Sequence, residues 1–412
     1  TGDYNTGVGV NALTASTTAE GNSAVGYNAL DANTTGNSNS AVGAYALTNN
    51  VSGANNVAVG VSSLESNTAS SNTAVGKDAM QNNTSGGNNV AVGSLALKAN
   101  TTAGDNVAIG DSAMLVNTTG YANVAIGSQA LDACTTAYDN VAIGRIAMTD
   151  STTASRSVAI GKGAAQNITT GPHNVAIGFE ALADATTGQD NVCIGKSAGD
   201  SLNSNKNVFI GQEAGENTTS GEQNVCIGAH TRVSSAHLSN AIVIGYNLAG
   251  DDNDISLGKA SNKVWCNYIS NASWYRSSDQ RIKQNIQNDT LGLNFINDLR
   301  PVTYNWKENK DFPNTFDDYD ADTNHMDTSI TMHGLLAQEV KTALDNAGVS
   351  TFGGWSESKD GMQNISREMF IMPLIKAIQE LSAKNDALET EIAALKTKDD
   401  ALEARITALE NA

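Results

Sequence analysis

Across the first 250 residues, one short phrase of polar, apolar, small, apolar and Gly positions keeps returning. NVAIG, or a close variant, places its Gly at 9, 26, 43, 60, 76, 93, 110, 127, 144, 161, 178, 195, 211, 228 and 245. Twelve of the fourteen intervals are 17 residues and two are 16, so fifteen copies of one unit stand in line. Each copy predicts a short strand with period-2 alternation. In Asn123-Val124-Ala125-Ile126-Gly127, Val124 and Ile126 face one way and Asn123, Ala125 and Gly127 the other. The β-branched pair is the expected first wall of a core. A second apolar dipeptide, three and four residues past the Gly, is the expected second wall, as in Ala130-Leu131, Ala113-Met114 and Ala181-Leu182. Asn stands seven residues past the Gly in six successive copies (Asn33, Asn50, Asn67, Asn83, Asn100, Asn117), usually followed by Thr, Ser and Gly. Asn and Gly tolerate positive φ, so these positions predict the corner of each coil. A 17-residue unit with two short walls buries its face only when stacked on its neighbours. The expected fold is mainly β, with a β-solenoid or β-roll over residues 1–250; fifteen rungs at about 4.8 Å make a rod of roughly 70 Å. Stacking would set Ala176, Cys193, Phe209 and Cys226 on successive rungs. Cys193 and Cys226 would then lie about 9.6 Å apart, too far for a disulfide.

The last forty residues follow a 3-4 spacing: Ile371, Leu374, Ile378, Leu381, Asn385, Leu388, Ile392, Leu395, Asp399, Leu402, Ile406, Leu409. Every d position is Leu, and the a positions are Ile except Asn385 and Asp399. This predicts a coiled coil over 370–412, because a lone helix would expose the stripe. Ile at a with Leu at d favours two strands by itself, and Asn at a agrees.

Composition separates two materials. Only eight of 21 aromatic residues precede residue 255, and all four Trp (Trp265, Trp274, Trp306, Trp355) follow it. Residues 1–254 hold 20 acidic and 8 basic side chains and few large apolar groups, so one thick globular core is excluded there. The whole chain carries a formal charge of −19, which argues against nucleic-acid or anionic-membrane partners. No run of eighteen apolar residues predicts a membrane span, and the start of the sequence lacks a basic segment and an apolar h-region. The sequence begins at Thr1 without Met, as expected of a fragment or a processed product. The four Cys (Cys134, Cys193, Cys226, Cys266) form no CxxC pair and have no His at zinc-ligand spacing; they are expected to be small apolar fillers. No metal or cofactor is expected. The Asn series also fits glycosylation acceptors, as in Asn33-Thr34-Thr35 and Asn117-Thr118-Thr119, or a sugar- or ice-binding comb, but turn demand already accounts for it.

After Gly245 the repeat decays through Asp251-Asp252-Asn253-Asp254 into an aromatic stretch, which predicts a junction over 251–276. Next stands Ser277-Ser278-Asp279-Gln280-Arg281-Ile282-Lys283. A Ser with a Lys five residues on can serve as nucleophile and base, or as solvated turn residues. Further on, Asp318, Asp320, Asp322 and Asn324 alternate through an acidic insert, Thr315 to Asp327. They partly imitate an EF-hand loop, but Thr323 stands where Gly belongs and Ser329 where Glu belongs, so a solvated loop is expected.

Three strings in order, SSDQRIKQNI, LRPVTYNWK at 299–307 and HGLLAQEV at 333–340, followed by the coiled coil, resemble the intramolecular chaperone domain of phage tail fibres and endosialidase tailspikes, the peptidase S74 family. The same module occurs in the membrane-anchored myelin regulatory factor. The resemblance covers 277–412 and implies an α+β chaperone domain over 277–369. It also implies trimerisation and a single-turnover serine autoproteolysis on the chain itself. Carried onto this sequence, Ser278 is the nucleophile, Lys283 the base and Ser277–Ser278 the scissile bond, with the adjacent Ser277 leaving a one-residue ambiguity. Neutral Lys283 requires burial to lower its pKa from about 10.4. Asp279 is expected to orient or cap, since a carboxylate beside Lys283 would favour the charged, inactive form. His333 precedes the GLLAQE string and is left unassigned, because packing or capping serves it equally. Three strands are expected for the coiled coil, since a trimeric domain ahead of it can dictate its stoichiometry.

The repeats themselves are similar in style to head and stalk segments of trimeric adhesins and phage tail fibres. The expected function is a trimeric phage tail-fibre or tailspike-like structural protein on the virion tail. Its partners would be itself and a host cell-surface receptor, either a glycan or a surface protein. A bacterial surface adhesin with the same chaperone is the alternative. A turnover enzyme on glycans is a third hypothesis, with no paired acidic residues to recommend it.

Overall fold

The computed structural model describes residues 2–411 apart from 261, 270, 277, 317 and 325, with the backbone alone for 271–276. It forms two compact units, Thr1–Asp279 and Gln280–Ala412. The first is mainly β. One strand per repeat, from Thr6–Val8 to Ile242–Tyr246, pairs in parallel with the next, giving the stacked β-solenoid that the 17-residue period predicts. Register is direct: Val124 lies opposite Val141, Ala125 opposite Ala142 and Ile126 opposite Ile143. Ala176, Cys193, Phe209 and Cys226 do fall on successive rungs, and all four cysteines are free thiols.

The alternation within each strand is as expected, but its two faces are exchanged. The central small residue points inward: Ala24, Ala41, Ala58, Ala91, Ala108 and Ala125 are fully buried, together with Ala-Leu or Ala-Met dipeptides past the Gly such as Ala113-Met114, Ala130-Leu131 and Ala181-Leu182. The Val/Ile pair points outward. The reason is the narrowness of the coil. Gly127 turns the chain at φ 139°, and a Cβ there would lie 2.4 Å from the Gly144 carbonyl oxygen. Ala125, Ala130 and Leu131 already fill the space inside, and a Val–Ile pair facing Leu131 would overpack it.

The corner Asn residues are also inside. Asn33, Asn50, Asn67, Asn83, Asn100 and Asn117 are fully buried, which removes glycosylation and an exposed comb. Asn117 Nδ2 donates to the Gly120 carbonyl at 2.9 Å and to Asn100 Oδ1 at 3.1 Å; each corner Asn closes its own turn, and Asn50, Asn83, Asn100 and Asn117 also tie it to the rung before. The Asn that opens each strand builds a second buried ladder: Asn123 N donates to Asn106 Oδ1 at 3.0 Å, and Asn140 N to Asn123 Oδ1 at 3.1 Å. Backbone donors along the solenoid axis are thereby met without water.

The repeat continues past Gly245. Asp254–Lys259 pairs in parallel with Ile242–Tyr246 and sets Gly258 opposite Gly245, so a shortened 13-residue coil adds a sixteenth rung. Asn262–Asn267 and Asn271–Arg276 then extend the sheet antiparallel. Residues 251–276 thus belong to the first unit.

The second unit contains a short helix α1 (Leu293–Asp298), helix α2 (Ala337–Asn346) and a 40-residue helix α3 (Ile371–Glu410), with two antiparallel strand pairs. Leu291, Phe295, Val340, Ala343, Leu344 and Phe370 form its core. Phe295 stacks on Phe370 at 6.2 Å, with Phe352 edge-on to both. Along α3 every a and d side chain from Ile371 to Leu409 is exposed in the isolated chain, Ile378 at 65%.

Candidate processing site

The final strand of the first unit, Asn271–Arg276, leads directly into the Ser-Asp motif. Ser277 lies outside the described residues. Ser278 and Asp279 are exposed, and a 3-10 turn over Gln280–Ile282 follows, closed by Lys283 N donating to the Gln280 carbonyl at 3.1 Å. The division between the two units falls between Asp279 and Gln280, inside the motif, which assigns Ser278 and Asp279 to one unit and Lys283 to the other. None of Ser278, Asp279, Arg281 and Lys283 is without a partner. Lys283 is exposed in the isolated chain, so the burial that a neutral lysine base requires is not supplied by one chain alone.

The other two motifs pack together in the second unit. Val302–Tyr304 pairs antiparallel with Met332–Gly334, setting His333 opposite Thr303, with its side chain exposed. Arg300 grips Glu339 of α2 through both its Nε and a terminal nitrogen, the Nε bond being 3.2 Å. This bidentate pair joins the LRP string to the AQE string. Glu380 of α3 accepts from Leu293 N at 2.8 Å and so caps α1 from the long helix. Neither pairing is legible from spacing.

In the acidic insert, Asp320 Oδ1 accepts from the N–H groups of Asp322 and Thr323, both at 2.9 Å. Asn324 and Asp327 cap Met326 and Ser329 in the same way. Hydrogen bonds from Ser329 hold the Asp327 carboxyl below its ordinary range. These side chains serve their own turns.

Elsewhere, stacking brings Glu213 and His230 to equivalent positions on adjacent rungs, His230 Nδ1 lying 3.1 Å from Glu213 Oε2. With Glu216, they present ligand atoms within 4.8 Å of one another, a set chemically able to hold a divalent cation. Only their 17-residue spacing could have signalled it. Burial pushes the thiols up, Cys134 to about 11 and Cys226 to about 12, with Cys193 raised as well. None is a nucleophile at neutral pH.

Residues 278–349 match the family model Peptidase_S74, chaperone of endosialidase. The chain carries a chaperone-of-endosialidase domain. The chain thus combines an intramolecular chaperone domain with a β-solenoid ahead of it in sequence, the combination expected of a phage tail-associated protein. No curated protein and no solved structure matches the chain.

Proposed function

We propose that the protein is a trimeric tail-fibre or tailspike-like stalk of a virion, assembled by its C-terminal chaperone and then released from it by self-cleavage at Ser277–Ser278. The observation that carries this is a coincidence of boundaries. The family match opens at Ser278 itself, and the compact units divide two residues past the Ser277–Ser278 bond, after Asp279. A cut before Ser278 would therefore part an intact solenoid from an intact chaperone.

The chemistry balances within the chain. Lys283 takes the Ser278 hydroxyl proton, and Oγ attacks the carbonyl carbon of residue 277. The C–N bond breaks as the amine of Ser278 accepts that proton, leaving an ester that water hydrolyses to the new carboxylate. Association of copies around this segment supplies the desolvation that Lys283 lacks alone, which ties cleavage to assembly. The exposed a/d stripe of α3 gathers the copies. The solenoid surface contacts a host receptor, a glycan or a surface protein.

Intact mass spectrometry under denaturing conditions tests the cleavage: two fragments are expected, the smaller beginning at Ser278, and one full-length mass in Ser278→Ala. A single mass for the wild type, or continued cleavage in Ser278→Ala, overturns the assignment. Sedimentation of the native protein is expected to give a trimer, and a dimer or monomer refutes that stoichiometry.

A further inference from the structure

The exchanged faces leave an uncovered apolar surface on the solenoid. Over the sixteen parallel rungs, 28 of the 32 outward strand positions are Val, Ile or Leu; the others are Thr6, Ser23, Ser40 and Thr73. None of the 32 is charged, in a chain of net charge −19. Val42 is 45% exposed, Ile109 37% and Ile244 40%. Taking about 75 Å of stack and about 13 Å of strand and margin, the face covers roughly 1,000 Å² per copy, above the roughly 800 Å² that a standard interface takes from each partner. Contiguous apolar patches of this size mark interaction surfaces.

The margins carry opposite charge. At the C-terminal end of the strands, immediately after the Gly, stand the exposed Lys77, Arg145, Lys162, Lys196 and Lys259, against one acid, Asp111. At the N-terminal end, two or three residues ahead of the strand, the exposed acids include Glu20, Asp105, Asp139, Asp190 and Glu222; Arg156 and Lys206 are the basic exceptions. Copies set with their ladders toward a common three-fold axis and their rods parallel bring the basic margin of each against the acidic margin of the next. An antiparallel neighbour sets like-charged margins against each other.

We propose that the Val/Ile ladder is the surface through which copies of this chain pack against one another, and that its oppositely charged margins select parallel over antiparallel packing. The occupant is a second copy of this chain because the α3 stripe already requires one, and because only a parallel copy matches both the uncharged centre and the two margins. The inference rests on the assembly proposed above and goes beyond it. It assigns the adhesion that keeps the stalk together once the chaperone and its coiled coil have been cut away.

The test uses the full chain. Ile109→Lys and Ile160→Lys each place a cation on the ladder without touching the interior of the coil, and Thr119→Lys does so on the exposed Thr corner. The ladder variants are expected to lower Tm by about 10 °C or more, since every copy buries an unpaired charge, whereas Thr119→Lys stays within about 3 °C. Ladder variants as stable as Thr119→Lys overturn the interface while leaving a coiled-coil-held trimer standing; a monomeric wild type sinks both. Hydroxyl-radical footprinting of the wild type needs no substitution. Ladder residues such as Val42, Val59 and Ile109 are expected to be protected relative to the urea-denatured chain, and labelling at the denatured rate refutes the proposal. Carbodiimide cross-links should join Lys162 or Lys196 of one copy to acids of nearby rungs in another, Asp139 or Asp190. Links between rungs from opposite ends, or no inter-copy links at all, overturn the parallel orientation.

Discussion

Asn123→Ala isolates what the strand-opening Asn ladder contributes. Asn123 is fully buried, and its amide makes bonds in two directions. Nδ2 donates to the Ala137 carbonyl at 2.9 Å and to Asn106 Oδ1 at 3.2 Å, while Oδ1 accepts from both N and Nδ2 of Asn140 at 3.1 Å. Ala in its place strands the buried Asn140 N–H and leaves the Ala137 C=O with only the weak Cys134 thiol donor at 3.9 Å. At about 1–3 kcal/mol for each buried orphan, the loss comes to about 4 kcal/mol. The chain supplies its own controls. Ser157 stands in the same ladder, and its Oγ accepts from Asn174 N at 3.1 Å, so Asn123→Ser keeps the acceptor for the next rung and loses about half as much. The one Ala in the series, Ala241, precedes the shortened coil, where Asp254 N bonds the Asp251 carbonyl instead. Thermal unfolding of the full chain should show Tm lowered by about 8 °C in Asn123→Ala, at about 2 °C per kcal/mol for a domain of this size. Hydrogen exchange should speed up most in peptides spanning residues 120–145, because rungs couple chiefly to their neighbours. A shift under about 2 °C, or an equal loss in Asn123→Ser, would refute the account.

Two further outcomes follow from side chains with defined partners. Burial, and then the charges of Asp111 and Asp150, raise the Asp132 carboxyl above 3.8, so the folded chain binds this proton more readily than the unfolded one and the penalty is present at neutral pH. Asp132→Asn should therefore raise Tm at pH 7, with the advantage vanishing toward pH 4 as the wild-type carboxyl protonates; an advantage equal at both pH values would exclude this cause. Glu380→Ala removes the acceptor of Leu293 N and should destabilise the α1 region by about 1 kcal/mol, read as faster exchange over 291–298 with the solenoid unchanged. Unaltered exchange there would show that the cap contributes nothing.

The period, the alternation and the α3 stripe were legible in the sequence because each is a local pattern repeated many times. Which face of the strand is buried was not, since it depends on the width of the coil: Val124 and Ile126 are the larger side chains, yet Ala125 is the one that fits opposite Leu131. The corner Asn residues were legible as turn residues, but their burial and their reach to the preceding rung were not, because both exist only after stacking. The sixteenth rung was hidden by a 13-residue coil that breaks the period while keeping Gly258 in place. The Ser-Asp-Lys motif was readable through resemblance alone. Arg300–Glu339 and Glu380–Leu293 join residues 39 and 87 positions apart and left no periodic trace.

The regularity that makes the solenoid readable also makes its assembly ambiguous. Two copies packed through the Val/Ile ladder meet almost the same surface after a slip of one rung: Val124 and Ile126 exchange partners with Val141 and Ile143, which are identical in type. The interior ladder discriminates no better, because Asn106, Asn123 and Asn140 are interchangeable. The features that break the repeat are few and lie mostly toward its ends: the two 16-residue intervals, the 13-residue last coil, Ser157, Ala241 and Phe209 inside, and Thr6, Ser23, Ser40 and Thr73 on the ladder. A slip therefore sacrifices little besides the end rungs and the alignment of margin charges, which salt screens. Selecting one register requires an aperiodic element that associates before the rods zip. The 3-4 stripe of α3 provides one, because Asn385 and Asp399 interrupt its Ile series at two defined a positions and penalise any offset that buries them against Ile or Leu. Once the ladder is paired from that end, the aligned rod is held by many weak rungs that must open together. Under the cleavage proposed above, removal of the aligning element would leave a state that is slow to unfold and has no template for refolding.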